Sequence, residues 1–225
     1  MFERFIQGVH TEDPGREEPA ATRDRLRTAF AAGATRRMTQ LGLLVGAALN
    51  QLEPTEADAI VYASSYGESR ALEAYLDSFP FPSPTLFQTS IHPSGAQQGL
   101  IARQRPMREL WPLAAGVHLP AHALLAAMLS PAPRALVCGG EERGTWLLEN
   151  GVASDRAFAF ALALTRERGA APLGRIVLRS VAAGAGLSDA APEALPLAAF
   201  FDRLHQRAAF AGSVAPGWEL ELNWS

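Results

Sequence analysis

Residues 110–142, LWPLAAGVHLPAHALLAAMLSPAPRALVCGGEE, constrain the fold more than any other part of this chain, because their punctuation leaves little freedom. Pro112 breaks a preceding regular element, and the small residues Ala114, Ala115 and Gly116 suit a tight turn with close backbone approach. Pro120 is at home in the first turn of a helix, where its missing N–H has no partner to lose. That helix is expected over about 120–129. Leu124, Leu125, Met128 and Leu129 give it an apolar stripe, while Ala121, Ala123, Ala126 and Ala127 let neighbouring backbones come near. Ser130-Pro131-Ala132-Pro133 stops it. Residues 135–138 are then a short buried strand ending at Gly139-Gly140.

The flanking residues extend this into an α/β pattern. Residues 59–64 (AIVYAS) read as a buried strand, 65–68 as a turn, and 69–79 as a helix with Leu72, Tyr75, Leu76 and Phe79 inward. Apolar residues recur at helical spacing over 39–52, where Gly42 and Gly46, four apart, predict close packing against a neighbour. Residues 2–9 are compatible with a short strand but show no clear period, and 11–21 (TEDPGREEPAA) read as a polar loop. Pro80, Pro82 and Pro84 predict an extended segment before a helical pattern over 97–102. Beyond the Gly-Gly pair, 144–151 reads as a loop with a partly buried Trp146 and 157–165 (AFAFALALT) as a central strand. Residues 176–181 read as its hairpin partner and 182–192 as a small-residue loop. A final helix over 195–209 turns Leu197, Phe200, Phe201 and Leu204 inward, and 218–224 alternate as a closing strand. No linker divides the chain, so one domain over 1–225 is expected.

Composition removes whole classes of function. Hydrophobic residues are 48% and charged residues 19% of the 225, and the formal charge of -3 argues against a nucleic-acid binder. All 20 basic side chains are arginine. Without lysine there is no Schiff-base chemistry, no P-loop lysine and no Ser-Lys dyad. One cysteine, Cys138, excludes an internal disulfide and a multi-cysteine metal site, and fits a reducing compartment. The first residues carry acids and lack a long apolar core, so no signal peptide is expected, and no apolar run reaches the ~18 residues that span a bilayer. A cytoplasmic protein with no membrane insertion is the expectation.

On these residues the chain resembles the β-ketoacyl synthase-like proteins of the thiolase fold. In ketosynthases a Thr-Ala-Cys-Ser-type elbow holds the acyl-accepting cysteine at the start of a buried helix, and a strand ending in Gly-Gly-x-Glu follows. Here the elbow falls at Ala114-Ala115-Gly116-Val117, with Gly116 in the cysteine's place. The series RRMTQLGLL, AIVYASSYGE and SPTLFQTSIHPSGAQQGLIA is similar to the pattern of ketosynthase-like proteins encoded with aryl polyene and xanthomonadin-type pigment pathways. His92-Pro93 stands where that group commonly has His-Asn. The resemblance covers about residues 36–165, with a weaker echo to the end.

It implies a layered α-β-α, thiolase-like α/β fold, mainly the N-terminal half of a ketosynthase. It also implies a chain-length-factor-like subunit with no catalytic residue at the degenerate elbow (Ala115, Gly116, Val117), no cofactor and no metal. The implied partners are a cysteine-bearing ketosynthase, as a heterodimer, and an acyl carrier protein carrying a polyene chain grown from malonyl units. His92, His118, Gly116 and Phe87 are the candidate tunnel or interface residues. Arg103, Arg105 and Arg108, the densest basic cluster, are candidate contacts for the carrier's acidic helix or its phosphopantetheine phosphate.

The residues leave two other readings open. An independent acyltransferase or thioesterase-like enzyme would use Cys138 or His92 and needs a solvent-reachable thiol of low pKa. Against it, a free cysteine ending a buried strand is more often core, and His92 has no paired thiol or acid in the sequence. A homodimeric scaffold for acyl carrier protein would need no synthase partner. His118 and His122, four apart, lack the Glu of an HExxH motif and a third ligand, so no metal site is expected. Ser64 and Ser65 lack a G-x-S-x-G elbow. Gly139-Gly140-Glu141 reads as tight packing, since Glu141 and Glu142 oppose an anion.

Overall fold

The computed structural model describes residues 1–104, 106–181 and 194–225. β1 (Phe2–Gly15) runs well past the short strand expected there, and 11–21 is not a polar loop: it completes β1 and opens α1 (Pro19–Leu26). α2 (Gln40–Asn50) starts at Thr39, whose hydroxyl accepts from the Gly42 N–H at 3.0 Å as a helix cap. Then follow β2 (Ala59–Ala63), α3 (Ser69–Leu76), α4 (Pro84–Ser90), α5 (Ser94–Arg103), β3 (Glu109–Leu113), α6 (Leu119–Leu129) and β4 (Arg134–Glu141). The single turn α7 (Trp146–Glu149), β5 (Ala157–Thr165), β6 (Gly174–Ser180), α8 (Leu197–His205), β7 (Phe210–Ala215) and β8 (Trp218–Trp224) complete the order. Pro84 does not prolong an extended segment; it sits in the first turn of α4, capped by the Ser83 hydroxyl. The loop expected at 182–192 lies outside the described residues.

Among the described residues the strands form one sheet, in the order β3-β2-β4-β5-β1-β6-β8-β7. β3, β2 and β4 are parallel and the other neighbours antiparallel. β5 and β6 are not the hairpin that their adjacency in sequence suggests, because β1 lies between them and pairs with both. Bulges between Ile6 and Gly8 and between Glu12 and Gly15 keep β1 bonded to β5 through its polar half. β7, which has no sequence counterpart above, pairs with β8 at one edge. At the other edge Pro112 lies inside β3 instead of ending an element before it. The Leu113 carbonyl accepts from the Ser64 N–H at 3.2 Å, so Pro112, one residue earlier, turns its missing donor to the open side, where an edge strand tolerates proline.

β5 explains the layering. Phe158, Phe160, Leu162 and Leu164 join a core with α6 and α8, while Ala157, Ala159, Ala161 and Ala163 face α2 and α5. Alanine on that face lets α2 lie close to the sheet. α2 meets α5 where a Cβ added to Gly99 would stand 2.9 Å from the Gly46 Cα, the close packing expected of the glycine pair. α8 buries the expected Leu197, Phe200, Phe201 and Leu204, whereas Leu129 at the end of α6 is exposed and leaves the predicted stripe. α3 reverses expectation. Its buried residues are Ser69, Ala71 and Glu73, and Leu72, Leu76 and Phe79 face solvent. Glu73 explains the roll, since its carboxylate accepts from the Thr145 and Leu147 N–H groups at 2.7 and 2.8 Å and so holds α7. Among the described residues no helix is long and apolar enough to cross a membrane.

Candidate functional site

The elbow leaves the sheet where three parallel strands finish. Ala63 of β2 pairs with Leu113 of β3 on one side and Gly139 of β4 on the other, so residues 114–118 turn at that end and α6 starts there. The Leu119 N–H bonds the Gly116 carbonyl at 3.0 Å. His118 precedes α6, as expected, and its Nδ1 lies 3.0 Å from the Val214 carbonyl oxygen, which ties the elbow to β7. His122 is exposed, and among the described residues no three His, Cys, Asp or Glu side chains gather as a metal site. Gly116 and Val117 are exposed and Ala115 is half-buried. A Cβ at Gly116 meets nothing within 4 Å. The backbone there has room for a side chain, so the lack of a nucleophile is a matter of residue type and not of space.

Cys138 does not replace it. The thiol is fully buried among the residues packed on α2 and α5, on the face of the sheet opposite α6, and burial pushes its pKa far up. A low-pKa, solvent-reachable thiol, which the enzyme reading needs, is therefore not what β4 carries. His92 stacks on Tyr62 with ring centroids 4.9 Å apart, and its Nδ1 stands 3.4 Å from Glu68 Oε2. Glu68 in turn accepts from the Gly95 N–H at 2.7 Å and from the Tyr62 hydroxyl at 3.3 Å. His92 thus has an acid beside it after all, but among the described residues neither ring nitrogen has a hydrogen-bond partner, and the Ser64 hydroxyl donates to Glu141 at 3.0 Å.

The carboxylates are the part of this region that sequence reasoning missed. Glu68, Glu73, Glu141 and Glu142 are all buried. Glu141 accepts from the Ser65 and Tyr66 N–H groups at 2.6 and 3.3 Å, fixing the turn after β2. Glu142 accepts from Arg70 and Ala71 at the start of α3, at 3.0 and 3.2 Å, and from Leu41 at the start of α2, at 3.4 Å. These are helix N-termini, where a carboxylate satisfies orphan N–H groups. Burial pushes Glu141 and Glu142 each up to about 7, against the opposite pull of those N–H groups. Gly139 and Gly140 let the acids arrive: a Cβ at Gly139 would run into the Ala63 carbonyl oxygen and one at Gly140 into that of Phe158, the tight packing expected of this pair. Two acids directly after Gly-Gly at a strand end were the available signal.

The remaining candidates lie apart. Phe87 is half exposed on α4. Arg103 bonds Asn50 at 2.9 Å, Arg108 is 3.6 Å from Glu109, and Arg105 lies outside the described residues. Arg103 and Arg108 flank the start of β3, whereas the elbow follows its end, roughly 15 Å away along a five-residue strand. The structure therefore does not bring the arginines together with the elbow.

None of the known protein-family models matches this chain, and no curated protein does. Solved structures do. A chain from the complex of a ketosynthase (ApeO) with its chain length factor (ApeC) from Xenorhabdus doucetiae superposes with a TM-score of 0.69 at 19% identity, over 99% of this chain and 100% of that one. A β-ketoacyl synthase from Burkholderia phymatum STM815 gives 0.57 at 15% identity, over 92% of this chain and 70% of that one. The ishigamide ketosynthase/chain length factor gives 0.56 at 14%, over 80% and 68%. By these superpositions the chain has the thiolase-type α/β fold that the ketosynthases share.

Proposed function

We propose that this chain is a non-catalytic, chain-length-factor-like subunit that pairs with an active ketosynthase. One observation carries the proposal: the strand, elbow, helix and Gly-Gly-Glu strand are intact while Gly116 stands at the elbow, with space for a side chain, and the one thiol lies on the far face of the sheet. Such a site cannot load an acyl chain, but it can bound the space that receives one. Among the described residues β3 is an edge strand, which supports pairing, since such an edge is a ready surface for a partner's strand. The similar structures include ketosynthases in complex with chain length factors, which favours the same kind of partner here. His118, Gly116, His92 and Phe87 are then the residues nearest the shared space, and the substrate is a polyene-type chain grown from malonyl units on an acyl carrier protein. Arg103 and Arg108 are the proposed carrier contacts, and the aryl polyene type of pathway is the proposed setting.

The test is co-expression with the ketosynthase encoded beside it, followed by size exclusion with mass determination and a condensation assay. A one-to-one complex is expected, with condensation lost when the ketosynthase's cysteine is replaced and retained on Cys138→Ala. A lone homodimer whose activity disappears on Cys138→Ala would overturn the proposal.

A further inference from the structure

A cavity of about 280 Å³ lies at the end of the sheet where β2 and β4 finish. Glu141 closes β4, Ser65 stands two residues beyond β2, and the two strands are parallel neighbours. Such ends of adjacent parallel strands are where layered α/β proteins take ligands. The cavity is completed by Leu148 of α7, Phe158 of β5 and the first residues of α8, Leu197 and Ala198. None of residues 114–118 lines it, so it is separate from the elbow. Phe158 and Leu197 are buried and Leu148 is half-buried, whereas Tyr66 and Asp155 are exposed and stand at the mouth. An apolar floor under a polar mouth is the build of a small-molecule site, and the volume lies just below the ~300–1,000 Å³ of drug-sized ligands, which sets the size of what enters.

Charge then selects the ligand. The chain has 20 arginines, yet none lines this cavity; its ionisable groups are Glu141, Asp155 and the Tyr66 hydroxyl. The neighbouring Arg156 is balanced by Asp202, at 2.6 Å, and lies over the Phe158 and Phe201 rings, 5.2 and 5.3 Å from their centroids. Asp155 has no ion-pair or hydrogen-bond partner among the described residues. Glu141, held by the Ser65 and Tyr66 N–H groups, adds a second acid. Two acids with no lining cation repel carboxylates and phosphates, while an unpaired carboxylate beside an aromatic residue attracts an ammonium group.

We propose that this cavity binds a small primary amine, its apolar body on Phe158, Leu148 and Leu197 and its ammonium group at Asp155 beside Tyr66. The site is independent of subunit pairing, because it uses neither the β3 edge nor the elbow. Binding is linked to a proton. Burial pushes Glu141 up to about 7, so at pH 7 about half of the molecules hold its proton, and an ammonium group nearby favours the ionised form. Amine binding at pH 7 therefore releases up to about half a proton.

The probes are pentylammonium, 1-pentanol and pentanoate, equal in length and different in charge. Each is titrated into the full chain at pH 7, by calorimetry in two buffers of different ionisation heat and by NMR. Pentylammonium should saturate in the millimolar range with release of protons, and pentanoate should bind at least about tenfold more weakly. Asp155→Asn should weaken the amine about fivefold, the worth of one exposed ion pair, and leave pentanol unchanged. Ala198→Trp, at an exposed position that lines the cavity, should abolish amine binding. Neither altered side chain is buried, so circular dichroism melts of both variants should match wild type. No saturable binding of pentylammonium, equal affinity for pentanol, or amine binding that Ala198→Trp leaves intact would each overturn the proposal. Binding with no proton released would put the amine away from Glu141 and overturn it too. Tighter binding of pentanoate would assign the cavity to the N–H groups at the start of α8 and overturn the choice of an amine.

Discussion

Glu141 and Glu142 make the stability of this protein depend on pH in an unusual direction, and Glu142→Gln tests it. Burial raises each carboxyl from 4.5 to about 7, so between those values the native chain holds protons that the unfolded chain has released. A group whose folded pKa is raised stabilises fully below its unfolded value and loses that contribution as pH climbs through the folded one. A rise of about 2.5 units at 1.36 kcal/mol each is about 3 kcal/mol per carboxyl. Together the two carboxyls contribute about 3–6 kcal/mol. His10, whose pKa burial lowers, works the other way over the same range but is a single group. Wild type should therefore lose about 3–6 kcal/mol of unfolding free energy between pH 5 and pH 8, read from urea midpoints at constant ionic strength. Glu142→Gln replaces one acceptor oxygen by a donor facing N–H groups and should cost about 1–3 kcal/mol at pH 5, yet roughly halve the pH slope. A wild-type stability that is flat or rising from pH 5 to 8 would refute the reasoning. It would mean that the N–H groups of Ser65, Ala71 and Leu41 outweigh burial and hold both acids ionised.

Three further outcomes follow from the packing. Gly139→Ala should lose about 3 kcal/mol or more in urea melts, or fail to fold, because its Cβ meets the Ala63 carbonyl, whereas Gly116→Ala should change stability by less than about 0.5 kcal/mol. Arg4 is buried, and its guanidinium donates to the Ala127, Met128 and Ser130 carbonyls at 3.0, 3.2 and 3.0 Å, closing the C-terminus of α6; Arg4→Met should cost about 2–4 kcal/mol, and a loss under 1 would show those carbonyls find other donors. Cys138 should stay unreactive to an aromatic disulfide reagent at pH 8 in the native protein and react fully in urea; stoichiometric labelling within minutes under native conditions would return the thiol to consideration as a nucleophile.

Much of the candidate site was legible in residues 110–142. Pro120, the four alanines and the Gly-Gly pair each act on their own few neighbours, and the elbow, α6 and β4 lie where they indicate. What escaped was direction. The apolar spacing Leu72, Leu76, Phe79 identifies one side of α3 correctly but cannot say whether that side meets core or solvent. Burying Glu73 against α7 settled it, through N–H groups about 70 residues away in sequence. His92 was judged to lack an acid because Glu68 is 24 residues distant, and only the approach of α5 to the end of β2 sets them 3.4 Å apart.

The sequence by itself determined α2, β2, α6, β4, β5 and α8, the absence of a cysteine at residues 114–117 and the absence of lysine, because periodicity, capping and residue identity are properties of neighbouring positions. Only the tertiary structure decided that β1 separates β5 from β6, that Glu68, Glu141 and Glu142 gather at the ends of β2 and β4, and that α3 and α4 turn apolar residues outward. Those outcomes depend on which distant backbone N–H groups need an acceptor and which edges need a strand, and such demands exist once the layers have come together.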